Sequence, residues 1–233
     1  MREPPGLFIT GTDTSVGKTY VTALIARSLR AAGHRVGVYK PVATGCRREG
    51  QWLISDDALL LAEAAGRLDE LERVCPQCFA APLAPHLAAE AEGAEVNVEL
   101  LRRGLHYWRE ESDIVLVEGA GGLMSPVTDE LFVADLAAAF AYPLVVVSRN
   151  ALGTLHQTLT TLIAAAAFDD GLPVAGVVLN EPARPSPDDL SVDSNRAELS
   201  RRAVPPVLAQ LSHGAAGFDP PVDWFRLASA TGE

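Results

Sequence analysis

The chain has 233 residues, enough for one large α/β domain or two small ones with a sizeable core. Apolar residues make up 48% of it, a globular composition that excludes a disordered chain. A net charge of −11 argues against non-specific nucleic-acid binding or an anionic membrane surface, and no apolar run is long enough to span a bilayer.

The N-terminus, Met1-Arg-Glu-Pro-Pro-Gly6, shows no signal-peptide pattern, so a cytoplasmic location is expected. Leu7-Phe8-Ile9 reads as a buried first strand. Gly11-Thr-Asp-Thr-Ser-Val-Gly-Lys-Thr19 follows, and then Val21–Leu29 with apolar residues at helical spacing. Strand, glycine-bounded loop and helix are the context of a P-loop. Gly17 lets the backbone approach phosphates, and N–H groups entering the helix favour an anion. Lys18 supplies a mobile charge for the β/γ-phosphates, and Thr19 a hydroxyl for Mg²⁺. Five residues separate Gly11 from Gly17, one more than in the common pattern.

Gly33-His34 marks the helix stop, and Val36–Tyr39 is a short second strand running into Lys40-Pro41. Of the 19 basic residues, only Lys18 and Lys40 are lysines. Where any cation would serve, this chain uses arginine; a lysine persists where a compact ammonium is needed. Lys40 is therefore a candidate for the same chemistry as Lys18. It leaves its strand at the carboxyl edge, where ligands of parallel sheets bind. Thr44-Gly45 continues that loop.

Ser55 reads as an N-cap, with Asp56 and Asp57 in the first helical turn; either acid could reach the site or merely complement the dipole. Residues 74–95 read as a long Ala/Pro-rich crossing loop that contains His86. Cys75-Pro-Gln-Cys78 has the spacing of half a zinc site or a redox pair. With Cys46 the only other cysteine and no completing histidine, reduced loop thiols are expected. Val98–Arg109 is an amphipathic helix.

Asp113–Val117 is a core strand running into Glu118-Gly-Ala-Gly-Gly122. An acid at the carboxyl tip of a core strand, followed by glycines, suits a magnesium-binding carboxylate. A helix over Leu131–Phe140 and a strand over Pro143–Val147 come next. Gly153-Thr154 opens a helix through about Phe168 whose N–H groups could hold an anion. Val174–Leu179 is a strand ending in Asn180. Residues Pro182–Ser194 form a polar, Pro-rich loop, and a helix over Asn195–Arg202 leads to a last strand at Pro206–Leu208. The continuous apolar strands imply a mostly parallel central sheet covered by helices on both faces, in one domain over 1–233.

These motifs resemble the dethiobiotin synthetases. The residues that carry the likeness are Gly11–Thr19, Tyr39-Lys-Pro-Val-Ala-Thr-Gly45, Asp57-Ala-Leu59, Pro85-His86, Val117–Gly122 and Leu152-Gly153, spread over most of the chain in family order. The resemblance implies a P-loop NTPase-like α/β fold and an ATP- and Mg²⁺-dependent cyclo-ligase. Its partners would be 7,8-diaminononanoate, CO2 or bicarbonate, and ATP. It implies Lys18 and Lys40 as catalytic residues and Thr44 on the substrate carbamate. Thr19, Asp57 and Glu118 would hold Mg²⁺. The nucleotide would lie on Ser15, Val16, Gly17, Lys18, Thr19, Tyr20, Asp57, Glu118, Gly119, Ala120, Gly121 and Asn180, with Asn180 reading the adenine. A homodimer is implied, with the substrate site at the subunit interface and the helix opening at Gly153 capping the carboxylate of the partner's substrate. The chain departs from the family at Ala209-Gln-Leu-Ser212, at Ser148-Arg-Asn-Ala151, and in lacking a tyrosine between Asn180 and Leu208.

Three other readings fit less well. A partitioning ATPase would carry an extra lysine early in the P-loop, and Gly11 to Val16 has none. An amidating synthase would need a glutaminase domain for which the chain is too short. A nucleotide sensor without catalysis would need neither Lys40 nor Thr44.

Overall fold

The computed structural model describes residues 3–230. In chain order the elements are β1 (Gly6–Gly11), α1 (Lys18–Ala31), β2 (Val36–Tyr39), β3 (Val42–Ala43), β4 (Arg47–Glu49), β5 (Trp52–Ile54), α2 (Asp56–Ala65), α3 (Leu71–Val74), β6 (Gln77–Cys78) and α4 (Pro85–Ala91). They continue as α5 (Val98–Glu111), β7 (Ile114–Gly122), α6 (Val133–Phe140), β8 (Leu144–Arg149), α7 (Thr154–Ala167), β9 (Val174–Asn180), α8 (Ser191–Arg202), β10 (Val207–Leu211) and α9 (Trp224–Ala230).

Six strands form one parallel sheet in the order β10-β9-β8-β1-β7-β2. Successive residues of a strand point to opposite faces. Every residue of β1 and β2 is nevertheless buried, so helices cover both faces there. All strands run the same way, so their carboxyl ends share one edge. The P-loop and Lys40 leave the sheet toward that edge, Asn180 ends β9 there, and Glu118 sits within β7 beside Ile9, the strand continuing to Gly122.

Helix α5 fixes the end of β2. The Tyr39 hydroxyl donates to the Leu101 carbonyl at 2.7 Å. Gly104 makes this approach possible, because a Cβ there would collide with the tyrosine hydroxyl. One turn on, the fully buried Trp108 donates from Nε1 to the Arg73 carbonyl at 3.2 Å.

The structure differs from the sequence expectations in four places. The stretch 74–95 is not one loop but carries β6 and α4. Pro85 at the first turn pre-sets the helical φ, and the Ala-rich run behind it has high helix propensity, but seven residues are too few to show periodicity. Residues 47–54 form a small antiparallel hairpin, β4–β5, whose exposed polar strand gives no apolar alternation. Helix α8 begins at Ser191, which shortens the preceding loop. The last strand runs to Leu211, because its pairing with β9 continues to Asn180.

Trp108→Ala should cost about 3–5 kcal/mol of stability, since it empties a buried site the size of an indole. Urea unfolding measures this; a loss under about 1 kcal/mol would mean that α5 does not anchor β2 as described.

Candidate active site

Strand register builds the centre of the site. Strand β7 lies between β1 and β2, with Tyr39 opposite Val117 and Ile9 opposite Glu118. One step past Tyr39, Lys40 therefore meets Glu118 across the ladder. Lys40 Nζ lies 2.7 Å from Glu118 Oε1 and 3.0 Å from Asp57 Oδ2. From the other side, Thr19 in the first turn of α1 donates its hydroxyl to the same Glu118 Oε1 at 2.8 Å. Glu118 is wholly buried and Lys40 nearly so.

Helix α2 supplies Asp57. The Ser55 side chain caps it by accepting from the Ala58 N–H at 3.2 Å. That start turns the two first-turn acids apart. Asp56 goes outward to Arg47 at 2.7 Å, while Asp57 goes inward to Lys40. Tertiary geometry thus settles which acid reaches the site.

The P-loop is held from two directions. Lys18 Nζ donates to the Asp13 carbonyl at 3.0 Å. Asn180, at the tip of β9, donates from Nδ2 to the Val16 carbonyl at 2.8 Å. Gly17 sits at φ 92°, where a Cβ would run into that same amide. Ser15 also takes a positive φ, 59°, so the loop makes two left-handed turns along its lengthened course.

A cavity of about 330 Å³ opens between these elements. Ser15, Gly17, Lys18 and Thr19 of the P-loop line it, together with Lys40, Thr44 and Asp57. Ala120 and Gly121 of β7 complete the lining. The two lysines therefore face one space. Thr14 and Ala43 also line it; sequence reasoning passed over both, although Thr14 lies within the P-loop motif itself.

Besides the wholly buried Glu118, which reaches the cavity only through Lys40 and Thr19, four expected nucleotide residues do not line it. Val16 is packed in the core. The Tyr20 hydroxyl donates to the Ala215 carbonyl, and its ring lines a separate groove beside α1. Gly119 is the close-packing position beneath Phe8 and Val133. Asn180 supports the loop from behind. Their side chains could act only through the loop, or on a nucleotide extending past it.

The residues present fit a magnesium ion. Glu118 Oε2 is buried without any hydrogen-bond partner, while Oε1 holds Lys40 and Thr19. A carboxylate oxygen orphaned in this way is costly unless something positive completes it. Among the described residues no cluster of three His, Cys, Asp or Glu exists. Magnesium does not need one: it uses one or two carboxylates and takes its other ligands from phosphates and water. Glu118, Asp57 and the Thr19 hydroxyl meet that description.

The two lysines differ electrostatically. Burial pushes Lys18 down to about 8, with Glu118 opposing this only in part and Lys40 adding to it. Burial also disfavours the Lys40 charge, but Glu118 and Asp57 outweigh it and hold the ammonium well above the usual lysine range. Burial would raise Asp57; Lys40 outweighs it and keeps the carboxyl low. Two cations and two carboxylates cancel, so the cavity carries little net charge before a ligand arrives.

An unfolded lysine titrates near 10.4, so between about pH 8 and 10.4 the unfolded chain binds more protons, and Lys18 adds stability as pH rises through that window. A phosphate chain restores the Lys18 charge. ATP binding should therefore be independent of this group below about pH 8, weaken above it, and take up protons near pH 9. Titration calorimetry in buffers of different ionisation enthalpy reads this; no proton uptake at pH 9 would contradict it.

A family model described as an AAA domain matches residues 5–215. The ATP-dependent dethiobiotin synthetase of Rhodopirellula baltica is 42% identical over 216 residues, covering 88% of this chain and 82% of the relative. That of Anaeromyxobacter dehalogenans strain 2CP-C is 46% identical over 197 residues, covering 84% of each. That of Aromatoleum aromaticum is 38% identical over 221 residues, covering 94% of this chain and 95% of the relative. Among solved structures, the cell division protein FtsY of Thermotoga maritima superposes with a TM-score of 0.51 at 14% identity, covering 99% of this chain and 69% of that one. FtsY of Elizabethkingia anophelis in complex with GDP gives 0.51 at 14%, covering 99% and 64%. At that identity the likeness concerns the fold alone, a parallel P-loop α/β sheet. Over nearly its whole length, then, this chain belongs to the ATP-dependent dethiobiotin synthetase family.

Proposed function

We propose that the chain closes the ureido ring of dethiobiotin from 7,8-diaminononanoate, CO2 and ATP. The observation that carries this reading is that Lys18 and Lys40, the only two lysines, face one cavity with Glu118 between their loops. In the first step an amine nitrogen adds to CO2 and loses a proton, giving a carbamate. A carbamate oxygen then attacks the γ-phosphorus of ATP and expels ADP. The second amine attacks the carbonyl carbon, and phosphate leaves as the ring closes.

Two anions must meet in the second step, so the site has to supply positive charge between them rather than a nucleophile. Lys18 draws in the β/γ-phosphates, with the backbone N–H groups of Ser15, Val16 and Gly17 around them. Lys40, fixed as an ammonium by two carboxylates, lines the same cavity beside Thr44, where the carbamate would approach. Thr44 beside it would hold the carbamate. Mg²⁺, held by Thr19, Asp57 and Glu118, would supply the charge that neutralises the phosphates. Ala120 and Gly121 let the substrate lie close to backbone, and Asn180 would read the adenine from the loop edge.

The family resemblance further supports a cytoplasmic homodimer in which the start of α7 at Gly153 caps the carboxylate of the substrate bound to the other subunit. No helix among the described residues is long and apolar enough to cross a membrane. Because no tyrosine lies between Asn180 and Leu208, the grip on that carboxylate would rest on other groups.

ADP release should require diamine and bicarbonate together. Lys40→Gln should lower kcat by roughly 10²–10³-fold, the scale for loss of one preorganised charge donor, while ATP still binds. Turnover near the parent level would remove Lys40 from the mechanism; ADP release indifferent to the diamine would refute the assigned reaction.

A further inference from the structure

The Cys75-Pro-Gln-Cys78 motif plays no part in the nucleotide site, yet it is fastened to it. Cys78 Sγ donates to Cys75 Sγ at 3.6 Å. The third thiol, Cys46, is hydrogen-bonded to Cys78 as well. All three are free; Cys46 and Cys75 are buried and Cys78 is partly exposed. Far apart in sequence, they meet because β3 pairs with β6, placing Ala43 opposite Cys78.

That pairing extends beyond the two strands. The Lys40 N–H donates to the Val74 carbonyl at 2.8 Å, and the Phe79 N–H to the Ala43 carbonyl at 2.9 Å. The Cys46 N–H donates to the Phe79 carbonyl at 3.0 Å, and the Gly45 N–H to the Ala81 carbonyl at 3.1 Å. The segment that carries Lys40 and Thr44 is thus laced along its length to the segment that carries the two cysteines. The P-loop is built on β1 and α1 and has no share in this lacing.

We propose that Cys75 and Cys78 are a site of reversible oxidation, whose disulfide shifts the Lys40–Thr44 wall and lowers turnover while leaving ATP binding in place. This rests on the ring-closing reading above only for its activity readout. A disulfide needs about 2.05 Å between sulfurs, so the pair must close by roughly 1.5 Å. Such a movement in β6 is transmitted to β3 through the ladder. Displacement of a positioning group by about 1 Å can cost on the order of 10²-fold in rate.

With a peroxide as oxidant the disulfide forms in two steps. The Cys78 thiolate, the accessible one, attacks a peroxide oxygen; the O–O bond breaks, leaving a sulfenic acid and, after protonation, water. Cys75 sulfur then attacks the Cys78 sulfur, and the expelled hydroxide takes up a proton as a second water. Two thiols are oxidised by two electrons, and one peroxide is reduced to two waters. A dithiol reverses the bond by exchange. The reaction is slow at neutral pH. The bond from Cys46 lowers the Cys78 thiol, but Cys75 and burial outweigh it and push it up to about 12. The thiolate is therefore scarce, and its fraction grows about tenfold per pH unit below that value.

The test treats the reduced full chain with hydrogen peroxide at pH 7 and pH 9, blocks the remaining thiols, and maps the disulfide by peptide mass. Diamine-dependent ADP release and ATP affinity are measured on the same samples at one pH. The expected result is one intramolecular Cys75–Cys78 bond, formed about a hundredfold faster at pH 9. Turnover falls about ten- to a hundredfold with ATP affinity within about twofold, and dithiothreitol restores it. Cys46→Ser should still form the bond, whereas Cys78→Ser should neither form it nor lose activity with peroxide. Failure to form the bond, its formation without loss of turnover, or equal loss in Cys78→Ser would each overturn the proposal. Absence of diamine-dependent turnover in the reduced chain would instead fail the ring-closing reading, and the mapped bond would still decide whether the cysteines are an oxidation site.

Discussion

The site depends on one buried ion pair, Lys40 with Glu118 at 2.7 Å. Removing two charges from water is costly, and a buried pair survives only where geometry and further hydrogen bonds complete it. Here the completion is visible: Thr19 shares Glu118 Oε1, and Asp57 shares Lys40. Removing one partner of such a pair leaves an uncompensated buried charge, at a cost of about 3–5 kcal/mol. The pair forms because β2 and β7 are adjacent and in register, with Tyr39 opposite Val117. Fold and chemistry are therefore one constraint: the register that builds the sheet also places the ammonium.

The orphaned Glu118 Oε2 gives this constraint a direction. The pair is incomplete on the side away from Lys40. A cation with a nucleotide would complete it and, at the same time, give the balanced cavity the positive charge that two anionic reactants require. Lys18 then plays a different part from Lys40. Its amine, pushed down to about 8 by burial, gains its charge most fully when phosphate is present. Lys40 keeps its charge regardless. In the proposed reaction Lys18 would answer the nucleotide and Lys40 would stand fixed for the step that follows.

How much of this the sequence revealed depends on whether the signal is local. The P-loop and the helix cap at Ser55 are written in adjacent residues, and the structure places them as read; Glu118, read as a strand end, lies within β7, which runs on to Gly122 because its pairing with β1 continues to Gly11. Lys40 was legible for another reason: outside the P-loop lysine, arginine fills every other basic position, so a lysine stands out. The choice between Asp56 and Asp57 was not legible, because it depends on Arg47 drawing one of them outward across the hairpin. The β3–β6 ladder and the meeting of Cys46 with Cys78 were hidden too. Two-residue strands have no periodicity, and their partners lie far along the chain. The bond of the Asn180 amide to the P-loop backbone, which stands beside the adenine role that family likeness implies, is a contact that no spacing announces.

The proposed function has Lys18 and Lys40 both acting on one phosphate chain from the cavity that they share. A crystal structure with a non-hydrolysable ATP analogue, Mg²⁺ and the diamine tests it most directly. The account predicts Lys18 Nζ and Lys40 Nζ both within hydrogen-bonding reach of the terminal phosphate, with the metal on Glu118. A terminal phosphate lying away from Lys40, with Lys40 still closed on Glu118 and Asp57 alone, would contradict it.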